Sequence, residues 1–100
     1  MDTSVDIFNE IAIRIIQEQE AIIGPLAWSE AEKVPSLHIT NPNKGEEEVH
    51  VVDPDPRKTI NELVERYEKL FGRLSRDVSR EATSDLTADI PAEDVPTCLK

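Results

Sequence analysis

Between Val5 and Ile23 the apolar residues fall at Val5, Ile7, Phe8, Ile11, Ala12, Ile15, Ile16, Ile22 and Ile23. At about 100° per residue they fill roughly half of a helical wheel. Asp6, Asn9, Glu10, Arg14, Gln17 and Glu20 take the other half, which predicts an amphipathic helix starting near Ser4, with Thr3 or Ser4 as its cap. Gln19 alone interrupts the apolar arc. A membrane span needs ~20 nearly uncharged residues, and this segment carries too many charges to be one.

Gly24-Pro25 closes the first helix and opens a second, because glycine tolerates a left-handed cap and proline presets a first helical position. Leu26, Ala27, Trp28, Ala31 and Val34 carry that shorter helix to about Val34, where Pro35 ends it. The period then changes from 3.6 to 2. Leu37 and Ile39 alternate with His38 and Thr40, and Val49 and Val51 alternate with Glu48 and His50, across a turn-rich run from Asn41 to Gly45. Pairing the apolar sets predicts a hairpin centred on Lys44, with 37 opposite 51, 39 opposite 49, and His38 opposite His50.

Asp53-Pro54-Asp55-Pro56 stops the second strand and starts a helix, with Asp55 as cap and Pro56 in the first helical position. Ile60, Leu63, Val64, Tyr67, Leu70 and Phe71 form its apolar stripe. Leu74, Val78 and Ala82 continue in phase, so one helix from Pro56 to about Leu86 is expected. The alternative is a break at Gly72 and a new helix capped by Ser75. These elements define a small α-rich α+β domain of order α-α-β-β-α with one β-hairpin. Residues 1–88 are expected to form this single domain, and 89–100, with two prolines and little to bury, a flexible C-terminal tail.

The chain has 100 residues, of which 38% are hydrophobic and 32% charged, within the range of folded domains. Its net charge of −10 opposes general adhesion to nucleic acid or anionic membranes and favours neutral or basic partners. The one cysteine, Cys98, cannot form an intramolecular disulfide. Met1 is followed by acidic and polar residues rather than by the basic and apolar regions of a secretory signal, so a cytoplasmic location is expected.

Few residues suggest chemistry. His38 and His50, paired across the hairpin with Glu48 on the same face, are the sharpest candidates for a metal or a pH-sensitive contact, but a fourth zinc ligand is missing and solvated histidines explain the pattern as well. Asp53 and Asp55 lack the spaced acids and central glycine of a calcium loop and read as turn and cap. No glycine-rich phosphate loop, paired cysteines or nucleophile beside a base is present, so neither enzyme activity nor a cofactor is expected. Arg66, Lys69, Arg73, Arg76 and Arg80 are spaced 3, 4, 3 and 4, and on a continuous helix they form one basic strip suited to an anionic partner.

The first helix offers more apolar surface than the narrower stripe of the last helix can cover alone. A homodimer is therefore expected, with Phe8, Ile11, Ile15, Gln19 and Ile22 at its interface. Gln19 either bonds a neighbouring backbone group within one chain or pairs with its counterpart across the two-fold axis. The resulting functional expectation is a small non-catalytic regulatory or adaptor protein that binds another protein. A nucleic-acid-associated regulator using the basic strip and a metal- or proton-responsive sensor using His38 and His50 are the alternatives.

Overall fold

The computed structural model describes residues 3–40, 47–52 and 54–99, with the side chains of residues 3–6 left aside. The expected helix caps at Thr3 and Ser4, the hairpin turn with Lys44, and Asp53 therefore lie outside what is described. Helix α1 spans Thr3–Ile23, α2 Leu26–Ala31, β1 Leu37–Thr40, β2 Glu48–Val51, α3 Pro56–Phe71, α4 Arg73–Ala82 and α5 Ser84–Thr87. Two 3-10 turns, Ala92–Asp94 and Thr97–Leu99, complete the chain. The architecture is the α+β domain that the pattern predicts, with a single antiparallel hairpin. None of the described helices is long and apolar enough to cross a membrane.

The hairpin register is as expected: Leu37 faces Val51, His38 faces His50 and Ile39 faces Val49. Leu37, Val49 and Val51 are buried, while His38, Glu48 and His50 are exposed on the opposite face. Val52 donates to Ser36 O at 2.9 Å, so the amide of Val51 points away from β1, and Asn9 Oδ1 on α1 accepts it at 2.7 Å. Helix α1 thus covers the outer edge of β2, an edge that would otherwise present an open row of peptide groups.

The core gathers Phe8, Ile11, Ala12, Ile15 and Ile16 of α1 against Ala27, Trp28 and Ala31 of α2, the inner hairpin face, and Ile60, Leu63, Val64 and Tyr67 of α3. This overturns the surface argument for a dimer. Phe8, Ile11, Ile15 and Gln19 are all buried inside one chain, and of the five residues expected at the interface only Ile22 stays exposed. The stripe of α3 covers too little, but α2, β2 and α4 also pack on α1 and enclose the rest.

Polar contacts fix how these elements sit. Trp28 Nε1 donates to Glu20 Oε2 at 2.7 Å across the first elbow, and Tyr67 Oη donates to Ala27 O at 2.6 Å, joining α3 to α2. Arg14 Nη1 reaches both oxygens of Asp85 at 2.9 Å, joining α1 to α5 and holding that carboxyl below its usual range. At the start of α3, Asp55 accepts from Arg57 N at 3.2 Å with Pro56 in the first turn, as the sequence predicts.

The last helical stretch is broken rather than continuous. Gly72 has φ of 89°, in the left-handed region where a side chain would be strained, and it closes α3 by donating to Glu68 O at 2.8 Å. The break turns α4 by about one residue, or ~100°, relative to the phase of α3. Ser75, Ser79 and Thr83 consequently face inward and are buried, whereas Leu74, expected to continue the apolar stripe, faces solvent.

The closing residues also differ from the expectation of a loose tail. Pro96, Cys98 and Leu99 are buried, and Ile90 and Val95 pack on the core. Cys98 N donates to Asn61 Oδ1 at 3.1 Å, and Arg57 Nη1 donates to Glu93 O at 2.7 Å. Packing therefore continues past residue 88.

Candidate functional site

Helix α4 is built against the usual rule. Its buried face is a ladder of hydroxyls four residues apart, each returning a bond to the carbonyl one turn earlier: Ser79 Oγ to Ser75 O at 2.8 Å and Thr83 Oγ1 to Ser79 O at 2.8 Å. Gln19, the one polar residue in the apolar arc of α1, meets this ladder, its Nε2 donating to Ser75 O at 2.9 Å and Ser79 Oγ at 3.2 Å. Gln19 thus bonds a neighbouring backbone group within its own chain, the first of its two expected roles. Among the described residues its Oε1 is a buried side-chain atom without a hydrogen-bond partner.

Of the apolar residues of α4, Leu74 is left outside, while Val78 and Ala82 are half-buried. Leu74 is 65% exposed, and Phe71, Leu26, Leu70 and Ile22 lie between 37% and 54%. The Gln19–Ser75 and Tyr67–Ala27 hydrogen bonds tie the α1–α2 elbow to the α3–α4 elbow. Ile22 lies one turn beyond Gln19, whose partner Ser75 follows Leu74; Leu26 adjoins Ala27, whose partner Tyr67 precedes Leu70 and Phe71 by one turn. The α1–α2 and α3–α4 elbows thus stand side by side, and each turns large aliphatic or aromatic groups to water. Half-exposing such a side chain forfeits roughly 1 kcal/mol of the burial it could have had, so the arrangement is unfavourable for the isolated chain.

The basic strip predicted on a continuous helix is divided by the Gly72 break. Arg66 is engaged elsewhere: its Nε donates to Glu30 Oε2 at 3.0 Å, and Lys33 Nζ reaches Glu30 Oε1 at 3.2 Å. Lys33 first, and then Arg66, hold this nearly buried carboxyl below its ordinary value. Arg73, Arg76 and Arg80 remain together around a concavity of about 430 Å³ that Thr97 also lines. Within it Arg76 lies 3.8 Å from Glu68 and Arg80 lies 3.1 Å from Asp77. Lys69 and Arg73, on either side of the break, form no ion pair among the described residues.

A second concavity, of about 410 Å³, lies along α3; Val34, Pro35 and Leu70 are its apolar walls, and Lys33, Arg66 and Lys69 line it together with Glu62 and Glu65. Leu70 therefore belongs both to this hollow and to the exposed elbow. Sequence reading missed this site because it placed Leu70, Phe71 and Leu74 in a continuous buried stripe. Serine or threonine at 75, 79 and 83, four apart and each one position past Leu74, Val78 and Ala82, was the available signal.

The remaining candidates are isolated. His38 and His50 face each other across the strands, and His50 Nε2 lies 3.8 Å from Glu48 Oε2, but among the described residues no three acidic, histidine or cysteine side chains come together as a metal site requires. Asp55 serves as a cap, its carboxyl held below the ordinary range by the Arg57 guanidinium. Burial pushes the Cys98 thiol up to about 12, which keeps it protonated and unreactive at neutral pH.

The fold and this surface define a small α-rich α+β domain with an exposed apolar helix elbow. No protein-family model, curated protein or solved structure matches the chain.

Proposed function

We propose that this protein is a small non-catalytic adaptor or regulator that binds another protein through the joined elbows, with Leu70, Phe71, Leu74, Ile22 and Leu26 as its contact surface. The observation that carries this reading is the first turn of α4, where Ser75 is buried and its neighbour Leu74 stands in water. Departures from the rule that oil goes inside are concentrated at working surfaces, because the fold gains nothing from them. A second copy is not part of the proposal, since the apolar arc of α1 that called for one is enclosed within the chain.

The test compares affinity capture from the native host by the wild-type protein and by Leu74→Asp. Because Leu74 is exposed, the variant should keep the far-ultraviolet dichroism and the Trp28 emission of the wild type. A partner retained by the wild type and released by the variant is the expected result. Identical sets of captured proteins refute the surface.

A nucleic-acid reading draws on the grouping of Arg73, Arg76 and Arg80 around one hollow. Glu68 and Asp77 offset two of those charges, and the net charge of −10 opposes it further. Binding to a random DNA duplex that weakens steeply with salt and with alanine at these arginines would favour this reading instead.

A further inference from the structure

We infer that α4 and α5 form a flap that lifts from α1 as a unit, about Gly72, while α1 to α3 and the hairpin stay folded. Among the described helices, α4 alone contributes no side chain to the apolar core or to the residues packed against it. Its buried side chains are Ser75 and Ser79, and Val78 and Ala82 are only half-buried. Helices are held in place chiefly by moving oil out of water, a contribution that this one largely forgoes.

The hydroxyl ladder does not hold the helix down. Ser79 Oγ donates to Ser75 O and Thr83 Oγ1 to Ser79 O, so neither bond ties α4 to another element. What crosses to α1 is the amide of Gln19, on Ser75 O and Ser79 Oγ, and the guanidinium of Arg14, on the exposed carboxyl of Asp85. Water replaces the first on opening, and an exposed ion pair holds weakly. Opening also hydrates Gln19 Oε1, which lacks a partner in the closed form among the described residues. Opposing it is the apolar surface of α1 and of the Thr97–Leu99 turn, on both of which α4 packs.

Both ends of the flap are fixed to α3 independently of α4. Gly72, at φ of 89° and with open space beside its α-carbon, closes α3 through its own bond to Glu68 O. After α5, Arg57 holds Glu93 O and Asn61 holds Cys98 N, and both of these residues belong to α3. The segment between can leave without loosening either anchor.

Gln19 meets Ser75 and Ser79 while Arg14 meets Asp85, so the flap runs antiparallel to α1 and back over residues 15 and 16. The open form therefore presents the Gln19 face of α1, with Ile15 and Ile16 one turn earlier, all fully buried in the closed form. The fold keeps this apolar face in reserve, apart from the elbow surface that is always exposed.

The test is native-state hydrogen exchange of the full chain, read residue by residue by NMR in urea below the unfolding transition. A helix of 10 residues is unstable alone, so lifting releases its amides. Amides of residues 77–86 should exchange about a hundredfold faster than the slowest amides of α1 and α3, with little response to urea. Tyr67→Phe cuts a bond from α3 to α2 that survives in the open form. It should speed the slowest α3 amides about fivefold and leave α4 unchanged. Asp85→Ala cuts a bond that opening breaks and should speed α4 about two- to threefold.

Exchange of α4 in step with α1 and α3, with the same urea dependence and the same response to Tyr67→Phe, places α4 in the global unit and overturns the inference. Fast exchange of α4 that ignores Asp85→Ala means that the helix frays where it lies, which overturns lifting. Fast exchange shared by the α1 amides of residues 15–20 assigns the opening to that whole end of the helix pair and overturns the flap as well.

Discussion

Replacing Gln19 by leucine should leave the protein as stable as before or make it more stable, although Gln19 is fully buried and makes two hydrogen bonds. The reason is the asymmetry between bonds made and bonds missed. Losing the two donated bonds costs about 1 kcal/mol each. Neither acceptor is orphaned, because Ser79 Oγ still bonds Ser75 O at 2.8 Å. The buried, unpartnered Oε1 disappears with the amide, relieving about 1–3 kcal/mol, and the apolar replacement adds roughly 1 kcal/mol of transfer. The sum is a change of about 0 to +2 kcal/mol in favour of the variant.

Gln19→Ala, by contrast, leaves a void between α1 and α4 and should cost about 2–4 kcal/mol. Urea unfolding followed by the emission of Trp28, the one tryptophan, measures both. In a domain of this size the two melting temperatures should differ by more than ~10 °C. A loss above about 1 kcal/mol for Gln19→Leu, with unchanged urea dependence, would refute the reasoning. It would mean that the amide is better satisfied than the orphaned oxygen implies.

Tyr67→Phe removes the 2.6 Å bond to Ala27 O in a buried site and should cost about 1 kcal/mol in the same urea assay. Gly72→Ala meets no atom within 4 Å of the added carbon, so its penalty is that of a backbone at φ 89° and ψ −176°, a region essentially reserved for glycine, about 1–3 kcal/mol. Glu30 is held below its ordinary value of 4.5 by Lys33 and Arg66, so its contribution is complete above that pH and fades as pH falls through the lowered folded value. Acid unfolding curves of Glu30→Gln should therefore be flatter in that window than those of the wild type. The Cys98 thiol runs the other way. Raised from 9.0 to about 12, it favours the folded state below pH 9 and loses that advantage as the unfolded thiol ionises above it. Labelling by a disulfide reagent at pH 8 should be slow in the native protein and fast in urea.

Much of this fold is legible in the residue pattern. The wheel of α1, the alternation that sets His38 against His50, and the Asp55-Pro56 start of α3 all follow from local rules, and tertiary packing agrees with them. The burial of Ser75 and Ser79 beside an exposed Leu74 does not. Leu74, Val78 and Ala82 keep the spacing of α3, and a periodicity cannot register one residue of left-handed backbone at Gly72. Hydroxyls that bond carbonyls one turn back are likewise invisible to hydropathy, since their burial depends on bonds rather than on oil. The two irregularities visible in the sequence, Gln19 in an apolar arc and serine at 75 and 79, are partners in space. The burial of Cys98 and Leu99 was hidden for a simpler reason: a few contacts by short turns leave no period to detect.

The seat of Asn9 beneath Val51 has a consequence for how copies of the hairpin can stack. Fibrils grow when each ribbon recruits on one flank and is recruited on the other. Here the flank of β2 is already occupied by a side chain from α1, so a ribbon captured through β1 would terminate the pile instead of extending it. An asparagine that costs one surface residue thus gives the folded chain resistance to cross-β growth, and that resistance lasts as long as α1 stays in place.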